Sequence, residues 1–220
     1  MKSVLLSLCF LAVVSTGLNA QNVEAILARM DSAAPGFHAI SANVQLVTYT
    51  AILSDTTNES GTLKMQRLKG GEARAILKFP SQQIAFLGKL VRIYFPELNE
   101  YQEYDLGTNS NMLNQFLLLG FGSSGRELAQ SYTITLEGAE KVAGRDTTKL
   151  LLVPKNKSVL EHLKKAEVWI PNDAAYPVQQ QFYEPSGNYR KATYTEIQLN
   201  PPIPGNLELQ LPPGAKRHKP

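Results

Sequence analysis

The sequence predicts a mainly β protein with a little helix, built on one antiparallel sheet long enough to curl into a barrel or part of one. Three observations carry this. Residues 61–105 are a run of short apolar-alternating segments separated by Gly, Pro and Asn, the pattern of consecutive antiparallel strands. Further segments of the same kind follow one another through tight turns such as Glu184-Pro185-Ser186-Gly187-Asn188. Helical spacing interrupts the rhythm chiefly near the amino terminus and again after Gly107. So many strands in one run curl rather than lie flat.

The elements are taken in order. Residues 1–20 are expected to be a signal peptide, with Lys2, an apolar run from Val4 to Val14 and a polar stretch ending Leu18-Asn19-Ala20. Cleavage after Ala20 fits best, with Gly17 as the alternative, and the apolar run is too short to span a bilayer. Cys9, the single cysteine, lies in that run, so the processed chain would have no thiol for a disulfide, a metal site or a nucleophile. Residues 21–220 are then expected to form a single exported domain, a soluble monomer.

Val23, Ile26, Leu27 and Met30 have helical spacing, ended by Pro35-Gly36. Period two begins after Phe37, with Ile40, Ala42, Val44, Leu46 and Thr48 on one side. A polar loop is expected over 54–60, then strands near 62–68, 73–79, 84–87, 89–95 and 100–106. Met112, Leu113, Phe116 and Leu117 suit a helix starting near Asn109 or Ser110 and stopping at Gly120, and Ser124 to Glu127 has the form of a capping box. Strands resume at 132–136 and 148–153, with a helical turn near Val159 to Leu163. The last are expected at 166–170, 178–183, 189–199 and 207–211.

Arg67 is the oddity in this pattern. It shares the parity of Leu63 and Met65, so a strand there aims a charge at the side that holds two large apolar residues, and such a charge needs a partner. Other chemical signals are weaker. Gly120 to Gly125 matches GxGxxG, but a helix precedes it where a dinucleotide site needs a strand, so it is expected to be a flexible connector. Glu97, Glu100, Glu103 and Asp105 read as a solvated hairpin edge rather than a catalytic pair. His38, His162 and His218 have no metal-ligand spacing and no adjacent nucleophile, so neither a catalytic site nor a metal or cofactor is expected.

Lysine and arginine total 22 against 19 acids, a net charge of +3, too balanced and too poor in interleaved aromatics for a nucleic-acid partner. Part of that excess is the Lys216-Arg217-His218-Lys219 tail, read as a frayed terminus. The remaining question is what lies on the concave side of a curled sheet. Periodicity is equally compatible with a filled core and with an apolar cavity covered by the helix around Phe116 and Leu117.

The carboxyl-terminal third, AEVWIPNDAAYPVQQQFYEPSGNYRKATYTEIQLNPPIPGNLELQLPPG, resembles the end of LolA-type outer-membrane lipoprotein carriers. GTLKMQR resembles the segment that carries the family's strand arginine, and LGKLVRIYFPELNEYQEY its GK, YxP and following strand. Leu68 follows Arg67 where the family commonly has proline, and Leu87-Gly88-Lys89 stands in place of its DGK. The resemblance implies an incomplete, strongly curved antiparallel β-barrel with a helical lid over an apolar cavity that holds acyl chains.

It also implies a function and a site. The function is non-enzymatic: a periplasmic carrier that binds acyl chains of lipoproteins or other acylated lipids, with an inner-membrane donor and an outer-membrane acceptor as partners. The alternative is a periplasmic sensor of lipids or lipoproteins, since the same fold serves envelope-stress sensing. By strand parity Leu63, Met65, Leu77 and Phe79 would wall that cavity, with Phe116 and Leu117 above. Arg67 matches the family's arginine, thought to bond lid carbonyls in the empty state, and would latch the lid.

Overall fold

A computed structural model describes residues 17–107, 118–203 and 207–218, with side chains from Val23 onward. The expected helix from Asn109, with Phe116 and Leu117, lies outside the described residues. Helix α1 (Gly17–Ala33) leads into a short 3-10 turn, Ala34–Gly36, where Pro35 helps end the helix. Twelve strands follow: β1 (Ala39–Thr50), β2 (Asp55–Arg67), β3 (Ala73–Lys78), β4 (Gln83–Leu87), β5 (Leu90–Phe95), β6 (Glu100–Asp105), β7 (Tyr132–Val142), β8 (Arg145–Pro154), β9 (Lys165–Pro171), β10 (Gln179–Tyr183), β11 (Tyr189–Leu199) and β12 (Lys216–Arg217). Helix α2 (Gly125–Ser131) precedes β7 and α3 (Lys157–Leu160) precedes β9. Ser124 and Glu127 form the capping box that the sequence predicts, each side chain accepting from the other's backbone amide.

All twelve strands form one sheet in the order β12-β6-β5-β4-β3-β2-β1-β11-β10-β9-β8-β7. Its pairs are antiparallel except for β12 against β6. The sheet ends at β7 and β12 and does not close, so the architecture is an incomplete, curved barrel. On its inner face near β7 to β9, Ile26 and Met30 of α1 pack against Leu150, Leu152, Val168 and Ile170. Around β1 to β3 a second cluster joins Ile40, Val44, Leu63, Met65 and Phe79 to Phe121 and Tyr194.

Four expectations are corrected. Residues 55–60, expected in a loop, extend β2, because a tight turn at Ala51–Leu53 with Ser54 at φ 50° lets the ladder with β1 run out to Thr50 and Asp55. Residues 207–211 are not a strand. Their alternation instead drives Leu207 and Leu209 onto Ile76, Ala85 and Tyr94 on the outer face of the sheet, with Pro212 and Pro213 lacking the amides a ladder needs.

The basic tail is not frayed through Arg217, since Lys216–Arg217 pairs with β6 and Arg217 lies 3.0 Å from Glu103. Glu103 is accordingly not a solvated edge acid: its side chain is 14% exposed and also accepts from Arg92 at 2.6 and 2.9 Å. Two cations on one carboxylate outweigh its loss of hydration.

Candidate functional site

The inward parity of β1, β2 and β3 creates a cavity of about 570 Å³ on the concave face. Cross-strand pairs Leu63 with Leu77 and Met65 with Ala75 set its floor, because residues directly opposite on one face lie side by side. Leu63, Met65, Leu77 and Phe79, the four wall residues named from sequence parity within the described chain, all line it. Phe86, Phe121, Phe182 and Tyr194 add aromatic surface. Gly61 belongs to the same parity as Leu63. A Cβ there would fall 2.2 Å from the Lys78 carbonyl and 2.6 Å from the Phe79 ring, so only glycine lets that ring lie against β2.

Chemistry changes along the cavity. At the inner end Met65 and Phe121 are each 1% exposed, whereas at the outer end Thr48, Thr57, Glu59, Gln82, Glu184 and Arg190 form a polar rim. Burial pushes the Glu184 carboxyl up, but this is outweighed by Arg190 and by hydrogen bonds from Asn188, Arg190 and Ser186, which hold it below its ordinary value. Glu184 is thus paired with Arg190 at the rim, while Glu59 accepts from the Ser81 amide at 3.3 Å. Among the described residues no group of three His, Cys, Asp or Glu side chains could hold a metal.

Arg67 points to the same face as Leu63 and Met65, but beyond the inner end of the cavity. It lines a neighbouring cleft with Leu118, Ser123, Glu127 and Tyr132. Its Nη2 donates to the Gly122 carbonyl and its Nη1 to the Ala34 carbonyl at 3.5 Å, with the Phe37 ring centroid 5.7 Å from the guanidinium carbon. Nε is buried and finds no hydrogen-bond partner among the described residues. Gly122 sits at φ 72°, and a Cβ on it would fall 2.2 Å from the Phe37 ring, so the glycine-rich connector is packed tightly where Arg67 holds it.

Sequence reasoning missed a second tie to that connector. Gln180, 3% exposed, donates from Nε2 to the Leu119 carbonyl and accepts the Tyr194 hydroxyl at 2.6 Å. Burial pushes the Tyr194 hydroxyl above its ordinary pKa, so it remains a donor. Phe121 meets the Tyr194 ring edge-on at 5.0 Å. The residues 118–122 are thus held by a guanidinium on one side, by an amide on the other, and by an aromatic ring seated in the cavity. The signal was available in parity, since Gln180 shares a face with Phe182, but three consecutive glutamines concealed which one points inward.

An open, curved antiparallel sheet with helices on its concave side and an apolar cavity is the incomplete barrel that the sequence predicts. MucB has the same fold, at 15% identity and a TM-score of 0.50, covering 86% of this chain and 63% of MucB. Solved structures also similar to it include lipoprotein LppX of Mycobacterium tuberculosis, with 15% identity, TM-score 0.48 and coverage of 84% of this chain and 99% of LppX. An outer membrane lipoprotein-sorting protein domain from Vibrio parahaemolyticus is 15% identical with TM-score 0.44, over 84% of this chain and 95% of that domain. No protein-family model matches the sequence, and no curated protein does. Among the described residues no helix is long and apolar enough to cross a membrane.

Proposed function

We propose that the protein is a non-enzymatic periplasmic carrier that shelters the acyl chains of lipoproteins, or of a related lipid, and delivers them toward the outer membrane. The observation that carries this reading is the cavity itself, about 570 Å³ with an apolar inner end and a polar rim. Pockets for small ligands fall in this range, and a chain of methylenes gains about 0.8 kcal/mol for each one taken from water. Leu63, Met65, Leu77 and Phe79 contact the acyl chain, and the rim meets the polar end of the cargo. Arg67 acts as the latch, because the carbonyls of Ala34 and Gly122 that it binds belong to two segments flanking the inner end.

The test is native mass spectrometry of the protein purified from its own envelope, paired with displacement of a fluorescent fatty acid in solution. Bound acylated lipid and saturable displacement are expected. Finding neither overturns the carrier. Replacing Arg67 with Leu removes the bonds of the closed state, so the loaded state is favoured and release of the fatty acid slows. Release at the wild-type rate overturns the latch while leaving the cavity reading intact.

A further inference from the structure

We infer that the turn Ala51–Leu53, at the tip of the β1–β2 hairpin, is a membrane-contact element that seats the mouth of the cavity on a lipid bilayer. The inference rests on the carrier reading for its purpose but on separate observations for its place. Ile52 is 91% exposed and Leu53 is 71% exposed, and they are adjacent. Among the described residues the other large exposed apolar side chains, Leu98, Tyr104 and Leu199, are scattered singly, which is ordinary for a protein surface. Two neighbouring aliphatic side chains on a hairpin tip are not.

The tip is built, not loose. The Ala51 amide donates to Asn188 Oδ1 at 2.9 Å, tying it to the adjacent β10–β11 hairpin, and the Ser54 amide closes the turn on the Ala51 carbonyl at 3.1 Å. Ser54 takes a left-handed φ of 50°, which holds the two aliphatic side chains at the apex. On the outer face just behind them, Tyr49 stacks on Tyr189 with ring centroids 5.1 Å apart, and Tyr183 lies 5.9 Å from Tyr189. Tyr183 donates its hydroxyl to Glu167 at 3.1 Å, and the stacked Tyr49 and Tyr189 rings behind an aliphatic tip suit the boundary between headgroups and acyl chains.

Position completes the argument. Thr48 and Thr57, opposite each other across the hairpin, line the outer end of the cavity, and the strands run from them directly to the tip. Arg190 and Glu184 of the neighbouring hairpin line the same rim. A bilayer touching Ile52 and Leu53 therefore faces the cavity mouth, and an acyl chain leaving that bilayer enters without crossing the protein's outer surface. The two hairpin ends carry Asp55, Glu59 and Glu184 against Arg190 and Lys191, so they present no basic excess to anionic lipid. Binding is then driven by aliphatic insertion and is insensitive to salt, unlike attraction of a basic patch to anionic lipid. Two side chains give only brief, reversible contact, which suits a carrier that must leave again.

The experiment is co-sedimentation of the full chain with vesicles of phosphatidylethanolamine and a minority of phosphatidylglycerol, at low and high salt. The double variant Ile52→Asp/Leu53→Asp is compared with Leu98→Asp, an exposed leucine in the β5–β6 turn. The tip variant should lose about tenfold or more in partitioning, from the transfer of two buried aliphatic chains, with wild type salt-insensitive and Leu98→Asp within about twofold. Fluorescent fatty acid binding in solution should be unchanged in all three proteins. Wild-type partitioning by the tip variant, or no partitioning by wild type, overturns the membrane contact. Loss of fatty acid binding by wild type would instead overturn the carrier reading, so the two failures are distinct.

Discussion

On β8 and β9 the inward side chains of Leu150, Leu152, Ala166, Val168 and Ile170 meet Ile26 and Met30 of α1, and the space between sheet and helix is filled. On β2 and β3 the inward side chains of Leu63, Met65, Leu77 and Phe79 meet a cavity. The strands of the two regions alternate in the same way, and both belong to one continuous sheet. The difference is what lies on the concave face. Where a helix with apolar residues at its own spacing lies on the sheet, the result is a core; over β2 and β3 the described residues leave a cavity.

If this contrast is right, truncation should cost stability in the filled region and affinity in the open one. Leu150→Ala, at a fully buried site, should destabilise the fold by about 3 kcal/mol in chemical denaturation, because removed methyl groups leave a void that α1 cannot close. Fatty acid affinity, measured on the folded fraction, should not change. A loss of affinity comparable to the loss of stability would erase the distinction between the two regions.

Gln180→Leu tests where the regions join. It strands the Leu119 carbonyl and the Tyr194 hydroxyl without their partner, a cost of about 2 kcal/mol in stability. It should also loosen the connector, visible as faster amide exchange at residues 119–122. Unchanged exchange there would mean that Phe121 packing alone holds the segment.

The outer face of β8 to β10 gives a pH handle on the filled region. Glu167 is 4% exposed, and the burial that pushes its carboxyl up is outweighed by hydrogen bonds and charge from Lys165 and Lys149, which hold it below the ordinary 4.5. Its contribution is fully present above the unfolded value of 4.5 and is lost as pH falls through the lower folded value. Glu167→Gln should therefore cost about 1.5 kcal/mol at neutral pH, with the deficit shrinking in acid. A deficit independent of pH would show that shape, not charge, fixes this site.

The smallest expected effect on stability is Leu77→Ala, at a partly buried wall position. It should cost about 1 kcal/mol of stability but weaken fatty acid binding about fivefold, since the lost contacts are with the ligand. A cost of about 3 kcal/mol with unaltered binding would make Leu77 part of the core rather than of the cavity wall.

Much of this was legible in the chain before any coordinates. The parity of Leu63, Met65, Leu77 and Phe79 placed all four on one face, and the same parity turned Arg67 inward. Local rules suffice for such statements, because a strand alternates its side chains wherever it is. Other residues escaped for reasons that are also physical. Glu103 looked solvated because the two arginines that bind it come from β5 and from a tail segment more than a hundred residues away. Gln180 looked like one of three equivalent glutamines until Leu119 and Tyr194 came within reach. Ile52 and Leu53 carried no signal at all, since two aliphatic residues in sequence do not say whether anything covers them.

The sequence by itself determined the alternation of most strands, the capping of α2, the glycine-rich joint and the inward charge at Arg67, all of which depend on residues within a few positions of each other. Only the tertiary structure decided that α1 covers β8 and β9 while the described residues leave a cavity over β2 and β3, that the carboxyl-terminal segment packs on the outer face rather than adding a long strand, and that the β1–β2 tip continues from the strands that line the outer end of that cavity. Those outcomes depend on sheet curvature and on contacts between residues far apart in the chain, which no local pattern encodes.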